Sequence, residues 1–309
     1  MDQLKVCFIG IGSIAKRHIR NLISVCNDRR IKLTIDAFRR SIDQVEGVNR
    51  VYTSETELPL DYDVIFITNP TDQHLETLKA FHDHGKHYFI EKPVVSREQI
   101  NEAKQFILKP NSAYYVAAPL RYNAVIQWVK DNVNPEDVIS VRSISSSYLP
   151  GWRPGQDYRQ TYSAHKAMGG GVSIDLIHEW DYLTYLFGWP EKVKSYIGKK
   201  SNLEVDSDDY AIYIAEYTNM ITELHLDYFG RKTIREIELI TKDDTILGDI
   251  ANNTVTSLIE NRIIDFHEER DDYQKRELLH FIDMIAQKTN VENGYEHGLK
   301  VLELTQGRL

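Results

Sequence analysis

Two cysteines, Cys7 and Cys26, in 309 residues leave no disulfide framework to read, which points to a reducing compartment. Cys7 lies in the apolar run Val6-Cys7-Phe8-Ile9 and reads as a small buried hydrophobe. No stretch approaches the roughly 18 apolar residues of a membrane helix, and no signal-peptide core follows the first lysine. The expectation is a cytoplasmic protein with no membrane partner. Basic excess is missing too: 37 Lys and Arg against 46 Asp and Glu give a formal charge of −9. A phosphate-rich surface needs clustered cations, so no nucleic-acid partner is expected. The histidines show no H-x-x-x-H or Cys/His spacing, so no metal site is expected. No G-x-S-x-G elbow occurs, which leaves Ser/His/Asp hydrolysis unsupported.

What is present is an ordinary globular composition, 42% hydrophobic and 27% charged. The length is too great for one core and suits two domains. Residues 4–10 read as a buried parallel strand running into a glycine turn, and residues 14–23 carry helical spacing. Further strands are expected at 33–38, 51–52, 63–68, 87–90 and 114–118, with helices at 73–83 and 96–108. This alternation predicts a Rossmann-type, doubly wound parallel sheet over residues 1–119.

After Pro119 the pattern changes. A helix at 124–132, a strand at 138–148, an irregular stretch at 149–171 and a helix at 173–187 come first. Strands follow at 192–199, 210–217, 220–229, 235–241 and 245–249, then helices at 272–286 and 298–304. Residues 120–309 are therefore expected to form an α+β domain for substrate binding and oligomerisation, built on a large, mostly antiparallel open sheet. Its open face would carry alternating residues such as Ile212, Ile214 and Glu216, or Leu224, Leu226 and Tyr228. A large exposed sheet usually finds a partner.

Gly10-Ile11-Gly12-Ser13-Ile14-Ala15 fits G-x-G-x-x-A where a strand ends and a helix opens. Gly10 allows the turn, Gly12 lets the main chain approach a pyrophosphate, and the N–H groups around Ser13 and Ile14 meet its oxygens. Cofactor choice is usually settled at the tip of the second strand, where an acid takes the ribose 2′-OH and Arg a 2′-phosphate. Phe38 stands at that tip, followed by Arg39, Arg40 and Ser41, donors suited to phosphate. NADP is expected over NAD. A register slip of two residues would instead make Asp36 the ribose ligand and favour NAD.

Glu91-Lys92-Pro93, following the strand at 87–90, resembles the E-K-P motif of the Gfo/Idh/MocA oxidoreductases (glucose–fructose oxidoreductase, inositol dehydrogenase). The glycine turn is similar to theirs, as is Thr68-Asn69-Pro70 with His74 downstream. Gly169-Gly170-Gly171, Asp175, His178 and Asp181 resemble the second signature, on a helix. The resemblance spans essentially the whole chain. It implies cofactor contacts at Asn69, Pro70, His74 and Glu91, a cis bond before Pro93, and homodimers or homotetramers through the large sheet. It also implies Lys92, His178 and Asp175 as the catalytic set. A Lys beside a nicotinamide holds the reacting hydroxyl and stabilises charge on it, and the cationic ring favours the neutral amine. His178 is the expected acid/base, since imidazole titrates near neutrality.

At about 100° per residue, Leu176, Ile177, Trp180, Leu183 and Phe187 share an apolar face, and Asp175, His178, Tyr182 and Tyr185 the opposite one. The commoner family spacing puts the Asp four residues before the His. Here the step is three, and Glu179 occupies the following position with its role open. Arg121, Tyr122, Trp152, Arg153, Tyr158, Arg159, Tyr162 and Lys166 make up the expected substrate-binding set. Aromatic rings stack on sugars, and Arg or Lys clamps a carboxylate or phosphate. Packing of Trp152 and the tyrosines is the alternative. The expected activity is oxidoreduction of a sugar carbinol, and the cations Arg153, Arg159 and Lys166 suggest an acidic or nucleotide-linked sugar. Two rivals stay open: a relative that uses its cofactor transiently to cleave or epimerise a glycoside, and a cofactor- or sugar-sensing binding protein on the same fold.

Overall fold

The computed structural model describes residues 1–307. The chain divides into two compact units, Met1–Pro119 with Arg270–Leu299, and Leu120–Glu269 with the described residues from Lys300 onward. Labels below run in chain order.

The first unit holds β1 (Gln3–Ile9), α1 (Ser13–Asp28), β2 (Lys32–Phe38), β3 (Arg50–Tyr52), β4 (Tyr62–Ile67), α2 (His74–Ala80), β5 (Gly85–Ile90), α3 (Ile100–Ala103) and β6 (Tyr114–Val116). The six strands form one parallel sheet in the order β3-β2-β1-β4-β5-β6. The near-continuous apolar runs of β1, β4 and β5 suit strands buried on both faces. Helix α3 is much shorter than the expected 96–108 helix. A 3-10 turn at Arg97–Gln99, closed by a capping box from Ser96, precedes it, and turns follow it.

One face of this sheet shows why residues 270–299 belong here and not to the second domain, as the sequence reading placed them. Phe8, Phe66, Phe89 and Tyr115 stack ring on ring across β1, β4, β5 and β6, at 4.4, 4.9 and 5.2 Å between centroids. Helix α7 (Arg270–Gln287) sets Phe281 edge-on against Phe89 and tilted against Tyr115, each at 5.3 Å. Leu278, Ile282, Met284 and Ile285 join the same core with Ile19 and Leu22 of α1. Edge-to-face geometry adds to simple burial. Asn21 donates to Gln274 at 3.4 Å, and Glu277 accepts the Ala118 backbone N–H.

The second unit holds α4 (Ala124–Asn132), β7 (Val138–Tyr148), α5 (Val172–Asp175), α6 (His178–Phe187), β8 (Lys192–Gly198), β9 (Tyr210–Glu216), β10 (Ile221–Asp227), β11 (Phe229–Thr241), β12 (Thr245–Asp249), β13 (Thr254–Ser257) and β14 (Arg262–Asp265). Its eight strands run in the order β14-β13-β12-β11-β7-β10-β9-β8, with β7–β10 parallel and the other pairs antiparallel. Strands β13 and β14 were not foreseen; they are short and lack a long apolar alternation. Helix α8 (Tyr295–Leu304) crosses from one unit's residues to the other's.

Two expectations change in this unit. Leu224, Leu226 and Tyr228 lie on the covered face of the sheet, fully buried with Ala211 and Tyr213, whereas Ile214, Tyr196 and Ile221 are exposed. Trp180 of α6 packs edge-on to Tyr213 at 5.2 Å, which fixes that covered face. The expected single helix at 173–187 is broken at Leu176 and Ile177, between α5 and α6. The helical-wheel relation drawn between Asp175 and His178 therefore does not hold. Tyr182 is buried and hydrogen-bonded to Ser143 at 2.6 Å, so it leaves the expected polar stripe.

Truncating Phe281 to Ala removes the ring that joins α7 to the aromatic stack. The expected cost is about 3–5 kcal/mol, read as a lower urea midpoint for the tertiary fluorescence transition.

Candidate dinucleotide and sugar site

The order β3-β2-β1-β4-β5-β6 reverses its winding between β1 and β4, and ligands of open parallel sheets bind at the carboxyl ends beside such a switch. The expected cofactor residues gather at that edge of the first unit. Gly10 has φ +85°, and a Cβ on it would lie 2.8 Å from Asn69 Cα. The turn after β1 and the loop after β4 therefore touch only because Gly10 has no side chain. Thr68 donates its hydroxyl to the Gly10 carbonyl at 2.7 Å, and Gly10 N–H donates to Phe38 O at 2.9 Å.

Gly12 caps α1 from an extended conformation, with no side chain bonded to the helix start. A Cβ there would meet nothing within 4 Å. Open space before uncapped N–H groups at Ser13 and Ile14 fits the approach of a phosphate.

Phe38 ends β2, so the register did not slip. Asp36 is buried two residues back and accepts the Tyr62 hydroxyl at 2.8 Å, which commits it inside the sheet. Arg39 and Arg40 have no ion-pair partner among the described residues; the Ser41 hydroxyl bonds Asp43. Asn69 donates to Thr77 Oγ1 at 2.7 Å, and Pro70, at the start of a 3-10 turn, is exposed.

Glu91 and His74, expected at the cofactor, each make hydrogen bonds within the first unit. Glu91 Oε1 lies 2.5 Å from Nε2 of His18 on α1, and Glu91 Oε2 accepts the Lys92 N–H at 3.2 Å. Burial works to raise the Glu91 carboxyl, but the His18 bond and the charges of His18 and Lys92 outweigh it. Its pKa ends below the ordinary carboxylate value. His74 is buried, with Nδ1 and Nε2 each 3.0 Å from a carbonyl oxygen, of Pro93 and Asn69 respectively. Burial lowers its pKa. Lys92 is half-buried at the carboxyl end of β5, and the Lys92–Pro93 bond is cis. His18 carried no signal of its own; its place on the inner face of α1, eight residues past Gly10, is the feature that marks it.

In the second unit, Asp175 ends α5 and His178 begins α6. Asp175 is buried and accepts the Tyr228 hydroxyl at 2.6 Å. Burial, then the Asp175 charge, holds the Tyr228 phenol well above its ordinary pKa, so it stays a donor. Tyr162 also bonds Asp175, whose charge, followed by burial, raises the Tyr162 pKa. His178 is half-buried. Gly171, at φ +131°, lets Asp208 close on the helix start: a Cβ would lie 2.3 Å from Asp208 Oδ1. Asp208 Oδ2 accepts Ser173 N–H at 2.9 Å.

The expected substrate residues divide into committed and available groups. Arg121 is 3% exposed and holds Asp181 in a two-point bond at 2.9 and 2.8 Å, so its guanidinium is not a free clamp. Arg159 is likewise spent on Asp157 and Glu204. Glu179, whose role stood open, is fully buried and takes Arg235 at 2.9 and 2.6 Å. Trp152 donates to Ser147 at 2.8 Å and packs edge-on to Tyr228 at 5.2 Å. Tyr158 accepts the Glu204 N–H at 3.1 Å, and Tyr122 is half-buried. Arg153 lies over the ring of Tyr162 at 5.2 Å, and Tyr162 is 39% exposed. Lys166 is exposed; neither it nor Arg153 has an ion-pair partner among the described residues. Tyr228 was quoted only as a sheet residue. Its link to Asp175 joins positions far apart in sequence.

A parallel sheet in this order with a glycine turn at its switch point defines a dinucleotide-binding domain, here paired with a second α/β unit. Residues 4–117 match the oxidoreductase family model with the NAD-binding Rossmann fold, and residues 136–307 match that family's C-terminal alpha/beta domain. The chain belongs to the Gfo/Idh/MocA oxidoreductase family. It is 27% identical over 198 residues to the uncharacterized oxidoreductase YrbE of Bacillus subtilis (strain 168), covering 60% of this chain and 54% of that protein. It is 24% identical over 185 residues to inositol 2-dehydrogenase of Rhizobium meliloti (strain 1021), covering 58% and 54%. The matches thus span about half the length of these curated relatives. Levoglucosan dehydrogenase in complex with NADH shares the fold at a TM-score of 0.86 and 15% identity, over 99% of this chain and 95% of that one. UDP-N-acetylglucosamine 3-dehydrogenase of Acidithiobacillus ferrooxidans superposes at a TM-score of 0.77 and 18% identity, over 99% and 96%.

Replacing Gly10 by Ala forces a side chain against Asn69 at positive φ. Dinucleotide affinity is expected to fall about tenfold or more, since positive φ alone costs roughly 1–2 kcal/mol. Nicotinamide fluorescence titration, with circular dichroism as the check on folding, reads this.

Proposed function

We propose that this protein catalyses reversible oxidation of a sugar carbinol with NADP, on an acidic or nucleotide-linked sugar. The supporting observation is the placement, in one unit, of the glycine turn after β1 and Lys92 after β5, flanking the loop after β4. Bound in that turn, the dinucleotide supplies the acceptor or donor of a hydride. Lys92 holds the reacting oxygen and stabilises charge on it. A ring nitrogen of His178 takes the hydroxyl proton in the oxidative direction and returns it in the reductive one. Asp175, held by Tyr228, orients the substrate or the histidine ring.

The preference for NADP is supported by the end of β2. Asp36 is already committed to Tyr62, and Arg39 and Arg40 follow the strand tip without ion-pair partners among the described residues. An acidic substrate is favoured by the division of the loop cations: Arg121 and Arg159 are paired, while Arg153 and Lys166 are available. Assembly as a homodimer or homotetramer through the open face of the eight-stranded sheet fits the exposure of Tyr196, Ile214, Ile221 and Ile263. The proposed setting is the cytoplasm, with small-molecule carbohydrate as the partner. No helix of the described residues is long and apolar enough to cross a membrane.

NADPH is expected to bind about tenfold or more tightly than NADH, as one charge-assisted hydrogen bond of roughly 1.5–3 kcal/mol requires. Arg39→Asp should reverse that order in the same fluorescence titration. Equal affinities in the wild-type protein would defeat the NADP assignment.

NADP-dependent turnover is expected with a uridine-diphosphate sugar acid or a free sugar acid, and its loss in Lys92→Ala. If only glucose or myo-inositol reacts, the acidic-substrate reading falls. Return of reduced-nicotinamide absorbance to baseline during turnover would instead mark transient use of the cofactor.

A further inference from the structure

Two histidines lie behind Lys92, and neither faces solvent. His18 is 1% exposed, wedged between α1 and the aromatic stack, with its ring 5.2 Å from Phe89 in an edge contact. Its Nε2 holds the Glu91 carboxylate, and the other carboxylate oxygen accepts the N–H of Lys92. His74 sits on the other side of the same tripeptide. Its two nitrogens face the carbonyls of Pro93 and Asn69, and the neutral ring donates to one of them, so the loops after β5 and β4 meet across it.

The residue before Lys92 and the residue after it are thus each held by a buried imidazole. Simple packing does not call for this. The surroundings of His18 are apolar, and its Nδ1 has no hydrogen-bond partner among the described residues. A buried polar atom left without a partner costs stability, and a leucine beside Phe66 and Phe89 would have no such atom. What a leucine lacks is the donor for Glu91. The arrangement exchanges some stability for a fixed tripeptide, as happens where a group must stand at a set height over a reaction site.

We propose that His18 and His74 are positioning residues for Lys92, His18 acting through the Glu91 carboxylate and His74 through the Pro93 carbonyl. His18 also lies on the helix that begins at the glycine turn, so the dinucleotide-binding turn and Lys92 share one rigid support. The proposal rests on the reading of Lys92 as the group that meets the substrate oxygen. A displacement of about 1 Å at such a group is enough to lower turnover by up to roughly a hundredfold.

The test reads Lys92 directly. Lysines are reductively methylated with 13C-formaldehyde in the whole protein, and the Lys92 signal is assigned by its loss in Lys92→Arg. Its position and pH titration are then followed in wild type, His18→Leu, His18→Gln and His74→Leu, alongside NADPH titration and thermal melts. His18→Leu is expected to fold, to melt below wild type because Glu91 loses its imidazole partner, and to shift and broaden the Lys92 signal. His18→Gln, which restores an amide donor near Nε2, should return that signal toward wild type. His74→Leu should move it as well. An unchanged Lys92 signal and titration in both leucine variants would overturn the proposal. So would an equal shift in His18→Gln and His18→Leu, because the donor would then be irrelevant. Failure of the wild-type protein to bind NADPH or NADH would defeat the oxidoreductase reading instead, and it leaves the Lys92 comparison in the ligand-free protein intact.

Discussion

The backbone of Gly10 lies against Asn69 so closely that any side chain on it would overlap the neighbouring loop. That approach arises where the strand order reverses between β1 and β4, and much of the first unit is indexed to it. The Thr68 hydroxyl holds the Gly10 carbonyl, Gly10 N–H reaches Phe38 at the tip of β2, and Glu91 N–H reaches Ile67 at the tip of β4. Arg39 and Lys92 each follow one of these anchored positions. Both groups proposed to meet cofactor and substrate are therefore placed by backbone hydrogen bonds, which tolerate little displacement.

In the second unit the governing constraint is the cost of burying charge. A buried carboxylate or guanidinium needs a partner with good geometry. Arg121 with Asp181, Glu179 with Arg235, and Asp175 with Tyr228 each meet that demand. This sorting separates structural cations from available ones. Arg121 holds the fold through Asp181, Arg159 pairs with Asp157 and Glu204 at the surface, and Arg153 rests on the Tyr162 ring.

Local chemistry made a large part of this legible. The strand–glycine–helix order at residues 4–15 and the Glu91-Lys92-Pro93 step read correctly because a turn and its flanking periodicity are set by neighbouring residues. The tip of β2 fell at Phe38 for the same reason. The partners of Glu91 and His74 were not legible, because a motif reveals which residues recur at an edge and not which groups meet them after folding. The continuous helix at 173–187 failed for a related reason. Its apolar spacing persists through Leu176 and Ile177, but Asp208 and Tyr228, both distant in sequence, hold α5 in its own short turn.

By itself the sequence determined the two architectures, the dinucleotide turn and the identity of the lysine and histidine proposed for catalysis, since each is written in residues close along the chain. Only the tertiary structure decided that α7 belongs to the first unit, because Phe281 finds its partners on β5 and β6. It alone decided that Asp36 is committed to Tyr62 and Arg121 to Asp181. It alone revealed His18 behind Glu91. Burial and partnership are properties of pairs brought together by folding, and no single stretch of sequence carries both members.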